Sequence, residues 1–382
     1  MNILIISYYF PPENKPRSFR VSELAKGLAG NNHKVELIVP CYENNQEIEG
    51  VCIRRVNFKK KIEESGKSLN AKKKNTILNK VKQKAKWLGY YILPDGKSAA
   101  FFFPLFKTLT SLQGSYDVVI SVSHPYVTHL ATIVASKFNR NLPGAARRIC
   151  EFGDTLVDCP AIPDSLVHKA MEKFIASESR FLVSPTILGA NSLSRYSKNA
   201  KVIPQGFNFD SVRISPVRNN IRRTFVYAGS FHKLTRNPII FLNLLLKIET
   251  DFHFKIFTNT LDENIMSILN RYIAELGDKI SVSHLIARDD VIYEMSKADF
   301  VVFQENVSSN QSPSKIVDCK LSSRPIFSYS QDSLEVDVFF EFLKGNYRNA
   351  SYQNVDISKY DIKKVVREFE ILFGEINQNS CS

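Results

Sequence analysis

The sequence predicts an α/β protein of two Rossmann-like, doubly wound domains. Three observations lead there. The chain has 382 residues, more than one hydrophobic core comfortably serves, so two domains of about 150–200 residues are the natural division. Short apolar runs alternate with segments of helical period from the first residues onward, which is the pattern of strand–helix–strand units with parallel strands. The alternation stops at a polar, arginine-bearing stretch with Pro216, residues 209–223, and then restarts, as it would across an interdomain linker.

In the first half, residues 2–8 read as a buried strand ending at a Tyr-Tyr-Phe-Pro-Pro turn. A helix follows over about 18–30, with Val21, Leu24, Ala25 and Leu28 on one face, and VELIVP (35–40) is the second strand. Strands are further expected at 116–122, 147–152 and 181–185, with helices around Leu130–Val134 and over 163–178; KVIPQGFN (201–208) closes this half. In the second half, strands are expected at 224–230, 252–258, 280–286, 298–304 and 325–329. Helices are expected at 238–248, 261–276, 290–297 and from about 315. The division is therefore 1–208, 209–358 and a final helical segment within 359–382.

Composition narrows the function. A hydrophobic fraction of 44% and a charged fraction of 23% are those of an ordinary globular protein and exclude disorder over most of the length. The six cysteines (Cys41, Cys52, Cys150, Cys159, Cys319 and Cys381) form no CxxC pair and are too sparse for a disulfide scaffold, which fits a reducing, cytoplasmic compartment. No apolar run of about 20 residues is present to span a bilayer. MNILIISYYF reads as a strand, not a leader peptide. AAFFFPLF (99–106) is too short to span and reads equally as core. Much of the formal charge of +13 sits in residues 59–86, with eleven lysines against two glutamates, followed by Trp87, Tyr90 and Tyr91. Such a stretch suits an anionic lipid surface or is a solvated face; no motif supports nucleic acid as a partner.

Ligands on open parallel sheets bind at the carboxyl ends of strands, and polar motifs fall at five of these ends. PPENKPRSFR (11–20) places Lys15, Arg17 and Arg20 at a helix start, where amides and cations attract phosphate; a structural role as a solvated turn is the other reading. SHPYVTH (123–129) puts His124 directly after a strand; His124 and His129 do not match a zinc spacing. EFGDTLVD (151–158) offers Glu151 and Asp154, to bind a hydroxyl or merely to cap a helix. YAGSFHKLTRNP (227–238) combines a glycine turn at Gly229 with Lys233 and Arg236, suited to a diphosphate. In SPSKIVDCKLSSRP (312–325), Ser312 or Ser314 caps a helix beginning near Pro313, Lys315 reaches toward phosphate or sugar, and Asp318 is placed to accept ribose hydroxyls.

In their order and spacing these motifs resemble the bacterial GT-B glycosyltransferases of the retaining, glycogen-synthase-like GT4 family, over nearly the whole chain. Asn32-His33-Lys34-Val35 stands at the family's G-H-x-V, EFGD at F-R-D, KVIPQGFNFD at V-I-P-N-G-x-D, and SPSKIVDCKLSSRPI at P-S-K-x-x-E-Y-L-A-x-G-x-P-V-I. The chain departs where Lys15-Pro16-Arg17 replaces a Gly-Gly loop, Ser230 an arginine of some members, Asn310 the first acid of E-x7-E, and Ser323 a glycine. The resemblance implies two Rossmann-like domains facing a cleft and transfer, with retention, from a nucleotide-sugar donor, most simply a UDP-sugar. It implies donor contacts from Arg17, Gly206, Gly229, Ser230, Lys233, Arg236, Pro313, Ser314, Lys315 and Asp318. Catalytic contributions would come from Asp154, His124 and Arg236, with no metal and no other cofactor. It further implies a polyprenyl-diphosphate-linked saccharide acceptor, a role in capsule, O-antigen or exopolysaccharide synthesis, and a peripheral position on the cytoplasmic face of the inner membrane. A UDP-sugar epimerase of the same fold, or a non-catalytic nucleotide-sugar-binding scaffold, is the alternative.

Overall fold

The computed structural model describes residues 1–382 except 14, 43, 45, 61–94, 158–164, 217–219, 233–235, 260–262, 285, 306–313 and 379–382. The chain forms two compact units, Met1–Phe207 with Lys359–Ser382, and Asn208–Ser358.

In the first unit the described elements run β1 (Asn2–Ser7), α1 (Pro16–Gly30), β2 (Lys34–Cys41), β3 (Val51–Lys59), α2 (Phe102–Thr110), β4 (Val118–Ser123), α3 (Val127–Phe138), β5 (Arg148–Phe152), α4 (Leu166–Ser177), β6 (Phe181–Ser184), α5 (Ile187–Leu193) and β7 (Ala200–Val202). Among the described residues the strands make a seven-stranded parallel sheet in the order β3-β2-β1-β4-β5-β6-β7. Both faces are covered, which is why β1 and β4 are apolar without alternation. Ile3 and Ile5 join Val21, Leu24 and Leu28 of α1 on one face. Leu4 and Ile6 join Leu105 and Leu109 of α2 and Ala131 and Ala135 of α3 on the other.

The second unit runs β8 (Arg223–Ala228), α6 (Ile239–Leu245), β9 (Phe252–Thr258), α7 (Glu263–Leu276), β10 (Ile280–His284), α8 (Arg288–Ser296), β11 (Phe300–Gln304), α9 (Ser314–Leu321), β12 (Ile326–Tyr329) and α10 (Val336–Leu343). Its described strands form a parallel sheet in the order β10-β9-β8-β11-β12. Phenylalanine dominates its core: Phe225 stacks on Phe254 and on Phe300, each at 4.9 Å, and Phe339 of α10 meets Phe225 edge-on at 5.6 Å.

The chain then returns to the first unit through α11 (Ile362–Gln378). Phe207 N donates to Tyr360 O at 2.8 Å and Ile362 N to Phe207 O at 2.9 Å, fixing the re-entry. Val365, Val366, Phe369, Leu372, Phe373 and Ile376 form the helix's buried stripe and complete the core around α1.

In each unit the strand order reverses once. The chain runs outward from β1 to β3 and then crosses to β4; it runs outward from β8 to β10 and then crosses to β11. The crevices beyond the carboxyl ends of β1/β4 and β8/β11 are therefore the switch points where ligands bind in this class of sheet. AAFFFPLF falls in a 3-10 turn (Gly96–Phe101) and α2, with Phe101 and Leu105 in the core. The elements β3, α2, α5 and α10 have no counterpart in the sequence-based assignment.

Candidate functional site

In the first unit, the residues gather at the β1/β4 switch point and the neighbouring end of β5. Pro16 opens α1 with its fixed φ, and Arg17 and Arg20, three apart, share a face of the helix. Their partners are also three apart: Arg20 pairs with Glu151 on β5, and Arg17 with Asp154 just beyond it. The inner pair is buried, and Arg20 Nη2 also donates to Ile203 O at 2.9 Å. Glu151 is thus a structural partner enclosed in the unit, whereas Asp154 is 66% exposed. Gly153 lets Arg17 cross this turn: a Cβ there would meet Arg17 Nε at 2.5 Å and Ser123 O at 3.0 Å.

His124 follows β4 at the same edge. Burial, and then the Arg17 guanidinium, push its imidazole down to about 4, against the pull of Asp154, so the ring is neutral at pH 7. Its Nδ1 lies 3.3 Å from Asp95 Oδ1, without the alignment of a hydrogen bond. Asp95 itself caps α3 from a distant turn, accepting from Tyr126 N and Val127 N at 2.7 Å each. Burial raises its carboxyl to about 6 although both amide bonds oppose this. Tyr126 spans to the next loop, where its hydroxyl donates to Asp154 O. Glu172 of α4 holds that loop too, accepting from Val157 N at 3.3 Å and from Leu156 N. The structure therefore brings Arg17, His124 and Asp154 together, a cation, a neutral imidazole and an exposed carboxylate. His129, by contrast, is fully buried: its Nδ1 is 2.7 Å from Ser121 Oγ, and burial holds it down to about 3.

Gly206 lies against α11. A Cβ there would meet Ile362 Cδ1 at 2.6 Å and Ile362 Cα at 3.2 Å, so close packing alone demands glycine.

In the second unit, Gly229 and Ser230 follow β8, and Gly229 N donates to Phe257 O at 2.9 Å. The chain turns back sharply: His232 and Arg236 exchange backbone bonds of 3.1 and 3.0 Å, which sets Arg236 beside the end of β8. Its side chain reaches the buried Tyr227 hydroxyl, whose pKa burial raises. Gln304 at the end of β11 donates to Asn237 O at 2.8 Å, joining this loop to the neighbouring strand end. Across the switch point, α9 starts at Ser314 and carries Lys315 and Asp318. Asp318 is 5% exposed; its Oδ1 accepts from Arg288 Nε at 2.7 Å and its Oδ2 lies 3.6 Å from Lys315 Nζ. Beyond β11, Glu305 accepts from the Tyr352 hydroxyl at 2.6 Å. Lys233, Pro313 and Asn310 lie outside the described residues, as do 61–86 of the lysine-rich segment, Trp87, Tyr90 and Tyr91.

Sequence reasoning did not single out Asp95, Glu172, Arg288 or Glu305. Asp95 is visible only as the middle of a Pro-Asp-Gly turn signal, and Arg288 only as a cation ahead of two aspartates at a helix start. Among the described residues no group of three or more His, Cys, Asp or Glu is placed to hold a metal ion, and no helix is long and apolar enough to cross a membrane.

No protein-family model matches the chain, and no curated protein matches it. Solved structures do. Sucrose-phosphate synthase from Thermosynechococcus elongatus is 11% identical with a TM-score of 0.63, over 99% of this chain and 100% of that one. HepE from Anabaena, solved in complex with UDP and glucose, is 12% identical with a TM-score of 0.60, over 98% and 100%. A glycosyltransferase from Rickettsia africae is 13% identical with a TM-score of 0.60, over 99% of both chains. At such identities the likeness is one of fold, and it runs through both units. The chain has the GT-B fold, built from two Rossmann-like α/β units.

Proposed function

We propose that the protein is a glycosyltransferase that moves a sugar from a nucleoside-diphosphate sugar, a UDP-sugar in the first instance, to a saccharide acceptor. The observation that carries this reading is the set of groups around the β8/β11 switch point: Gly229, Ser230 and Arg236 on one side, Lys315 and the buried carboxylate of Asp318 on the other. A nucleoside diphosphate asks for this combination, an acid for ribose hydroxyls and cations for the diphosphate. The full-length likeness in fold to HepE, solved with UDP and glucose, supports the choice of base.

Arg288 holds one oxygen of Asp318, leaving Oδ2 and the adjacent Lys315 to meet the ribose and phosphate. Arg236, with Lys233, Lys315 and the amides that open α9 after Pro313 and Ser314, stabilises the nucleoside diphosphate as it leaves, without a metal. On the first unit, Arg17 meets phosphate or sugar while neutral His124 and exposed Asp154 bind and orient hydroxyls. The family resemblance supports retention of configuration. It also supports a polyprenyl-diphosphate-linked acceptor, a place in bacterial surface polysaccharide synthesis, and a peripheral position on the cytoplasmic face of the inner membrane.

Titration calorimetry with UDP, ADP and GDP, combined with a UDP-sugar panel assayed with and without membrane-extracted acceptor, tests the reading. UDP binding that falls at least about tenfold in Arg236→Ala, as loss of a charge-assisted phosphate contact requires, is the expected result. Absence of any nucleotide binding overturns the reading in favour of a scaffold, and epimerised donor formed without acceptor overturns it in favour of an epimerase.

A further inference from the structure

The first unit carries an aromatic strip that the proposed reaction does not use. On α2, Leu105 and Leu109 are buried, while Phe103 is 76% exposed. Phe102 meets Phe103 edge-on at 5.4 Å and stacks on Phe106 at 6.3 Å. Phe106 meets Phe138 of α3 edge-on at 5.8 Å, and Phe138 is 72% exposed. Four rings thus run without interruption across two helices. The C-terminal ends of α2 and α3 are tied together, because Asn139 Nδ2 donates to Leu109 O at 2.9 Å and to Leu112 O at 3.0 Å. Contiguous exposed apolar surface of this kind marks an interaction site.

The exposed charges on α2, α3 and the turn after it are basic, with Glu178 beside Lys137. From 96 to 150 the sequence has Lys97, Lys107, Lys137, Arg140, Arg147 and Arg148, and a single acid, Asp117, whose carboxylate accepts from Asn2 N at 2.8 Å. Lys97, Lys107, Lys137 and Arg140 are exposed; Lys137 reaches Glu178 at 3.1 Å.

We propose that this strip docks the protein on an anionic lipid leaflet, with Phe103 and Phe138 entering the headgroup layer and Lys107, Lys137 and Arg140 meeting lipid phosphates. Phenylalanine on the apolar face of an interfacial helix reaches the boundary between headgroups and acyl chains. Cations on flexible stems suit a fluid layer of phosphates that imposes no fixed register, and each contributes about fivefold to partitioning. The assignment rests on the membrane position proposed above, and gives it to the residues of α2 and α3.

Co-sedimentation with vesicles of phosphatidylcholine alone, and of phosphatidylcholine mixed three to one with phosphatidylglycerol, tests it on the full chain. The wild type is expected to bind the anionic vesicles selectively. The double variant Phe103→Glu/Phe138→Glu should lose about tenfold or more in binding, and Lys107→Glu/Arg140→Glu should lose a comparable amount that salt mimics. Unchanged melting temperature and UDP affinity in both variants would show that the loss is local. A wild type that ignores anionic vesicles, or double variants that bind as well as it does, overturns the proposal. So does a phenylalanine variant that changes only the oligomeric mass in light scattering, which would make the strip an interface between copies. Failure to bind UDP with vesicle binding intact would sink the transferase reading and leave this surface standing.

Discussion

Asp318 is a buried carboxylate already committed on one side to Arg288, which makes it sensitive to the loss of a single charge. Replacing it by Asn keeps the shape and removes the charge-assisted bonds; UDP affinity measured by calorimetry should drop about 10–100-fold, since hydrogen bonds to charged groups contribute about 1.5–3 kcal/mol. Gly153 gives a second, structural prediction. In Gly153→Ala the new methyl meets Arg17 Nε and a backbone oxygen, so urea unfolding should show a loss of about 1–3 kcal/mol. The two cases also show what a sequence reveals of a site. Arg17, Asp154, Arg236 and Asp318 are legible because they follow strand ends, and strand ends follow from hydrophobic pattern. Arg288 and Asp95 are not legible, because each gains its meaning from a group about 30 positions away that only folding brings near.

At the scale of elements, the well-anticipated ones are those with strong periodicity. β1, β4 and β11 are short apolar runs covered on both faces, and α11 has an unbroken apolar stripe. β3 escapes because it is an edge strand whose burial is patchy and whose centre holds Arg54 and Arg55. α5 escapes because it has seven residues and exposes Ile187 and Leu188, so no stripe stands out. α11 also supplies part of the first unit's core. Phe369 is fully buried in it, and Phe369→Ala should cost about 3–5 kcal/mol in urea unfolding.

At the scale of the molecule, three groups with displaced protonation in the first unit contribute to the acid response. His124 and His129 are held down to about 4 and about 3, so their unfolded forms bind protons first as pH falls below about 6.5 and the fold loses stability. Asp95, held up to about 6, acts in the opposite sense: its folded form takes the proton first, adding stability as pH falls from 6 toward the unfolded value. Two imidazoles against one carboxyl leave a net of about one proton near pH 5, so these three groups together contribute a loss of about 1.4 kcal/mol per pH unit. Melting temperatures between pH 7 and 4.5 should fall accordingly, and His129→Asn should flatten the slope whatever it does to stability at pH 7. The return of α11 to the first unit has a further consequence, for the order of events during synthesis. The chain lays down seven strands of that unit, then the whole of the second, before the helix that covers α1 is made. The second unit's sequence is thus complete while the first, though older, still shows to water the Gly27 face of α1, against which Val366 and Ile362 later pack. The older half of the protein is the last to close.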